Sequence, residues 1–275
     1  MLGKLLKHEF RATARTMLPM FGVVLVLSLL ANLSFAQIAD TDSGALDILF
    51  GLFIFAFFLG LFTMGVMSLV VMIQRFYKNV LGDEGYLTLT LPVNVHEILW
   101  SKLIVSFVWF LATGLIAIAA VFIAVFTLTY SELGEMLRNM PSFGEMLGLF
   151  FEKTEITPGQ LTGIILQLAA MIILNSLTLC LHFYGAMALG HSFSNHKVLL
   201  SVVFFIAISF FFSFVTSMLG ICTDGISLTV VEESGSAVIK SLQAMSLGSM
   251  IYTLIEGVIL YLLTTYCLKY RLNLS

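Results

Sequence analysis

Six apolar runs govern what this chain can fold into: roughly Leu18–Ala36, Ile48–Ile73, Leu103–Thr129, Leu161–Leu189, Val198–Ile221 and Leu247–Leu268. A helix needs about 20 mostly apolar residues to cross the hydrocarbon core of a bilayer. Lipid gives backbone groups no hydrogen-bond partner, so such runs must be helices that bond internally; a barrel would show short alternating strands instead. Composition agrees: 59% of the 275 residues are hydrophobic and 11% are charged, with a mean hydropathy of +1.04. Soluble domains carry about 25% charged residues. The expectation is an all-α integral membrane protein: six transmembrane helices forming one membrane domain over residues 18–275, preceded by an N-terminal helix over residues 1–17.

The distribution of Lys and Arg orients the spans. Ten basic residues, among them Lys4, Lys7, Arg75, Lys102, Lys197 and Arg271, fall on one side of the alternating connections. The other side has only Arg138, Lys153 and Lys240, together with most of the acids. Both termini and the 74–102 connection are therefore expected in the cytoplasm, with the protein multi-pass in the plasma membrane. A signal peptide cleaved after Ser34-Phe35-Ala36 is the competing reading of the first run, which is rather long for one; retention as an anchor is the expectation. Cys180, Cys222 and Cys267 are odd in number, widely spaced and without a CxxC, which argues against a disulfide framework or a zinc site.

On a helix, Lys4, Lys7, Arg11 and Arg15 cluster within about 80° of arc, with Leu2, Leu5, Leu6, Phe10 and Met17 opposite. That is the pattern of an amphipathic helix in the headgroup plane, basic side toward anionic phosphates. Glu9 falls on the apolar arc with no basic residue three or four positions away, so either it reaches back to the interface or its partner lies elsewhere.

The connection between the second and third runs is shaped rather than merely polar. Gly82-Asp83-Glu84-Gly85 combines turn residues with two carboxylates that need water or a cation. Leu87, Leu89 and Leu91 then alternate with Tyr86, Thr88 and Thr90, and Pro92 biases Leu91 to an extended backbone. Asn94 is a good N-cap with Glu97 three residues on, so a helix is expected to start near Val95 and to run through Trp100 and Lys102 into the third span. Either the leucines fold back on the bilayer surface or they meet a cytoplasmic protein.

Asp83-Glu84-Gly85-Tyr86-Leu87-Thr88, Leu91-Pro92-Val93 and Glu97-Ile98-Leu99-Trp100-Ser101-Lys102-Leu103 resemble the cytoplasmic loop of ABC-2-type transporter permeases. That loop reads acid-x-Gly-Thr, a leucine pair, Pro-Val/Leu and a Lys opening the next span; Tyr86 stands where the family usually has Thr. The resemblance implies the membrane subunit of an ATP-binding-cassette exporter, paired with a like or unlike permease subunit and driven by a separate cytoplasmic ATPase. ATP and magnesium would belong to that partner, and this chain would hold no cofactor, catalytic residue or metal and bind no nucleic acid. By the same resemblance Asp83, Glu84, Gly85, Tyr86, Leu91 and Pro92, with Glu9 of the N-terminal helix, would couple nucleotide-driven motion to the third span.

No GxxxxGK[ST], HExxH or GxSxG occurs. His182, His191 and His196 are a conceivable ligand set, but no acid or cysteine is near them in sequence. Glu256, near the middle of the last span, is the intramembrane residue of most interest, because an ionised carboxylate there is costly and such residues mark pathways or paired sites. Asn175 in the fourth span is at roughly similar depth and is a candidate partner. Either Glu256 is protonated and structural, or it serves transport; an ATP-independent six-span channel or carrier using it is the alternative function.

Overall fold

The computed structural model describes residues 2–38, 44–82, 85, 94–139, 158–193, 196–218 and 235–271. Among them are six long helices and no strand: α1 (Leu2–Ile38), α2 (Gly44–Phe76), α3 (Val95–Asn139), α4 (Pro158–Gly190), α5 (Lys197–Met218) and α6 (Gly235–Tyr266). α2 and α6 continue into single π-helical turns, Tyr77–Leu81 and Cys267–Arg271. All six helices are long and apolar enough to cross a membrane, which makes the chain a multi-pass membrane protein. Outward-facing side chains such as Ile118, Leu166 and Phe210 are large and apolar, as a lipid solvent requires.

α1 runs without a break through the junction between the N-terminal segment and the first apolar run, with Pro19 inside it. A proline removes one N–H from the helical ladder, a loss that membrane helices tolerate when neighbouring groups satisfy the freed carbonyl. Lys4, Lys7, Arg11 and Arg15 are exposed on this helix, while Thr13, Met17, Phe21 and Val24 are buried.

The chain divides into two compact units. The first comprises Met1–Gln74 and Trp100–Met140, hence α1, most of α2 and α3 from Trp100. Its core is a helical-period stripe from each helix: Met17, Phe21, Val24 and Ala31; Phe57, Met64 and Val71; Ala120 and Ala124. The small Ala120–Ala124 face lets α1 come close, so that Asn32 Nδ2 donates to the carbonyls of Ile123 at 2.8 Å and Ala124 at 3.3 Å. Ser68 and Thr113 share a hydrogen bond of 2.9 Å between α2 and α3.

The second unit comprises Arg75–Leu99 and Pro141–Ser275, hence the π turn after α2, the first turn of α3, and α4 to α6. Phe76 stacks on Tyr184 with ring centroids 4.0 Å apart. α4 and α5 come into close contact at Gly190, where an added Cβ would lie 2.6 Å from the Ser201 backbone nitrogen. At Gly257 of α6 an added Cβ would meet Thr178 Oγ1 at 3.0 Å. The phenylalanines of α5 divide by role: Phe205 stacks on Phe183 and Phe212 is buried, whereas Phe210, Phe211 and Phe214 face outward.

Candidate functional site

The partner of Glu9 is Lys102. Their side chains form an ion pair in the first unit, with only 13% and 4% of each exposed. One turn farther along α1 and about two along α3, Trp109 Nε1 donates to Thr13 Oγ1 at 2.7 Å, and the indole packs on Phe10 and Phe21. The order of these contacts, with Asn32 on Ile123 beyond them, means that α1 and α3 run the same way. Lys102 is thus not a cation reaching for the interface; it closes a buried joint between the N-terminal helix and the start of the third span. Trp100 beside it is partly exposed, as an interfacial ring should be.

The segment leading into that joint is anchored at both described ends. Gly82 N donates to Tyr77 O at 2.7 Å, closing the π turn, and Gly85 N donates to Gly82 O at 2.8 Å. Gly85 is buried. α3 begins at Val95, where the Asn94 cap puts it, and the Asn94 carbonyl accepts from Glu97 N at 2.9 Å and Ile98 N at 3.3 Å. His96 Nδ1 lies 2.6 Å from Tyr261 Oη of α6, with the two rings stacked. Asp83, Glu84, Tyr86, Leu91 and Pro92 lie outside the described residues.

Glu256 is buried in the second unit, and its partner is His182 of α4, with Nε2 3.1 Å from Oε1. His182 Nδ1 is 3.1 Å from the Thr178 carbonyl. A carbonyl only accepts, so the proton of that contact sits on Nδ1 and Nε2 faces the carboxyl group. The arrangement is satisfied in two ways: imidazolium donating to carboxylate, or neutral imidazole accepting from a carboxylic acid. Either way the two side chains share one proton across the contact and carry no net charge.

Comparison with protein-family models, with curated proteins and with solved structures finds no match. The site is therefore read from its own chemistry.

Asn175 is not the partner of Glu256: its Nδ2 donates to the Met171 carbonyl of its own helix at 2.9 Å, and the residue is exposed. Seven residues separate it from His182, almost two full turns, so the two side chains share a helix face but differ in depth by about 10 Å. No group of three or more His, Cys, Asp or Glu suited to a metal ion occurs among the described residues. The two residues that sequence reasoning did not pair, Lys102 and His182, both carried a signal. Glu9 had no local cation while Lys102 opened the neighbouring parallel span, and His182 was the only ionisable group in the run now called α4 apart from Cys180 and Tyr184.

His191, just beyond α4, is buried against Tyr77, with ring centroids 5.4 Å apart, and its Nδ1 lies 2.9 Å from the Met187 carbonyl. Burial, followed by the nearby Lys197 charge, lowers its pKa below the usual imidazole value, against the opposing effect of the Met187 bond. The fold thus favours the neutral ring, and below about pH 6.5 the unfolded chain binds more protons than the folded one. Thermal stability in detergent is expected to be insensitive to this residue above about pH 7 and to fall as pH drops through about 6.5. In His191→Phe that acid-side loss should shrink; an unchanged slope would remove His191 as its source.

Proposed function

We propose that the chain is the membrane permease subunit of an ATP-binding-cassette exporter of the ABC-2 type. In this reading two six-span subunits, identical or different, form the pathway in the plasma membrane, with both termini cytoplasmic. Separate ATPase subunits, which carry ATP and magnesium, dock beneath them. This chain performs no catalysis of its own.

The observation that carries the reading is the buried Glu9–Lys102 pair. The resemblance assigns coupling to two elements, the N-terminal helix and the loop that ends at Lys102, and an ATPase pushing on either must move both if they are joined. The capped start of α3 supports the same view: a rigid helix leads directly out of the loop into a span. Motion delivered at Asp83–Pro92 would enter α3 without being absorbed, and the dimer would switch between two packed arrangements.

The test is a double replacement, Asp83→Ala with Glu84→Ala, in the intact chain. It is expected to weaken association with the partner ATPase about tenfold or more, as loss of one or two buried charge-assisted contacts does, while leaving folding of the permease unchanged. Undiminished association and transport would remove the loop from the mechanism. One observation favours the second reading, a carrier independent of ATP: Glu256 has a titratable partner within the membrane. Flux driven by an ion gradient through the purified chain alone, lost in Glu256→Gln, would establish that reading instead.

A further inference from the structure

We propose that His182 and Glu256 form a proton-binding site that exchanges one proton with water at one side of the membrane, entered from the Gln167–Gln243 end of the α4–α6 seam. The proposal is independent of ATP coupling, since it concerns this chain alone.

The three helices that hold the pair carry few other charges. α4 contains no Asp, Glu, Lys or Arg; α5 has only Lys197, its first residue; α6 has Lys240 near its start and then only Glu256. The other titratable side chains on these helices are Cys180 and Tyr184 on α4, and Tyr252, Tyr261 and Tyr266 on α6. From α5 the pair is faced by Phe212, whose ring meets the imidazole edge-on at 5.8 Å. Tyr252, one turn from Glu256, turns its hydroxyl to the Phe212 carbonyl at 2.7 Å. The 75–99 segment meets α4 through the rings of Phe76 on Tyr184 and Tyr77 on His191, and among its described charged residues Arg75, Lys78 and Glu97 none forms an ion pair with His182 or Glu256.

An ion pair is a poor way to hold two apolar helices together, because well-packed apolar side chains of the same volume do so as well or better. A purely structural role is therefore an expensive use of two ionisable groups in a span. What the pair can do that leucines cannot is change protonation. The shared proton neutralises the site; its departure to water leaves neutral imidazole beside carboxylate, one net negative charge, and its return restores neutrality. No other bond is made or broken.

The surroundings give that proton a route at one end only. From Glu256 toward the start of α6, polar groups recur every three or four residues along the seam. Thr178 Oγ1 donates to the Thr253 carbonyl at 3.4 Å, Thr253 Oγ1 to Ser249 O at 2.9 Å, and Ser249 Oγ to Ser246 O at 2.8 Å. Gln167 Nε2 reaches both the Gln243 carbonyl, at 3.0 Å, and Ser246 Oγ. In the opposite direction the next seam position of α6 is Leu260, which is fully buried, and Gly185 of α4 is packed against Leu260, Leu263 and Thr264. The polar side is a ladder of exchangeable hydroxyls and amides; on the other side buried Leu260 stands between the pair and the next hydroxyl, Thr264.

The test uses the intact chain in vesicles of phosphatidylcholine and phosphatidylglycerol, with infrared difference spectra recorded as bulk pH is changed. One Glu256-dependent protonation change of the pair is expected as pH is raised, seen in the carboxyl or the imidazole bands and ending in neutral imidazole beside carboxylate. That change should be absent in Glu256→Gln, retained with a displaced midpoint in Glu256→Asp, and displaced again in His182→Gln. Gln167→Leu lies outside the pair and should leave the midpoint alone while slowing the response to a pH jump several-fold. A spectrum with no Glu256-dependent change as pH is varied, or one that Glu256→Asp leaves unshifted, overturns the proton site. A response equally fast in Gln167→Leu overturns the route.

Discussion

Lys102→Met is expected to destabilise the folded chain by about 3–5 kcal/mol, because it leaves the Glu9 carboxylate buried without its counter-charge. The effect is not simply the strength of one contact. Coulomb attraction in this setting roughly offsets the desolvation of both groups, so removing either partner exposes the whole desolvation cost of the other. The same logic makes a distinctive prediction for the double variant. Glu9→Leu with Lys102→Met replaces the pair by apolar side chains and should return stability close to the native value. Unfolding of the purified chain by a denaturing detergent, measured for both single variants and the double, closes the cycle. Strict additivity of the two single effects would show that the side chains do not depend on one another. Coupling should also be visible in function: the double variant folds but lacks a joint whose charges fix the register of α1 against α3, and ATPase-driven transport is expected to be slower than in the native chain.

Gly190→Ala is expected to be the most damaging Gly→Ala change among the described glycines of the second unit. Its Cβ would stand 2.6 Å from the Ser201 nitrogen and 2.7 Å from the Ser201 Cα, and backbone cannot rotate out of the way as a side chain can. Overpacking a well-filled interior costs about 1–3 kcal/mol and occasionally more; a clash with backbone belongs at or above the upper end of that range. α4 and α5 would have to separate, which loosens the Phe183–Phe205 and Phe193–Phe204 stacks at the same crossing. Ser201→Gly, which keeps the close approach and loses one hydroxyl bonded within its own helix to the Lys197 carbonyl, should be far milder. Gly65→Ala serves as a contrast, since nothing lies within 4 Å of the position a Cβ would take there. Equal thermal stability for Gly190→Ala and Gly65→Ala would contradict the close crossing.

The spans were the most legible part of this chain, and for a simple reason: a run of about 20 apolar residues has few other uses. The start of α3 was legible too, because Asn94, Glu97 and the preceding Pro92 are local signals that act over one turn. The division at residue 17 was harder to see. Amphipathic and apolar segments differ in what surrounds them rather than in backbone, and the structure carries both on one continuous helix through Pro19. The pairings were hidden because no local pattern encodes them. Glu9 meets a lysine 93 residues away and Glu256 a histidine 74 positions earlier, each chosen by which helix faces pack together. Asn175 and His182 illustrate the difficulty: both are polar groups on nearly the same face of α4, and only their depth relative to α6 separates the residue that meets Glu256 from the one that does not. Small residues gave a partial guide, with Gly190, Gly257 and the Ala120–Ala124 face lying at real close approaches while Gly65 does not.

The most direct test of the account is to isolate the intact chain from its native membrane in mild detergent and measure the ATP hydrolysis that accompanies it. The account predicts a P-loop ATPase present in fixed proportion to the chain, with hydrolysis that disappears together with that subunit in the Asp83→Ala and Glu84→Ala double variant while the permease itself remains folded. A chain that isolates without an ATPase and without hydrolysis, yet alone carries flux driven by an ion gradient, would contradict it.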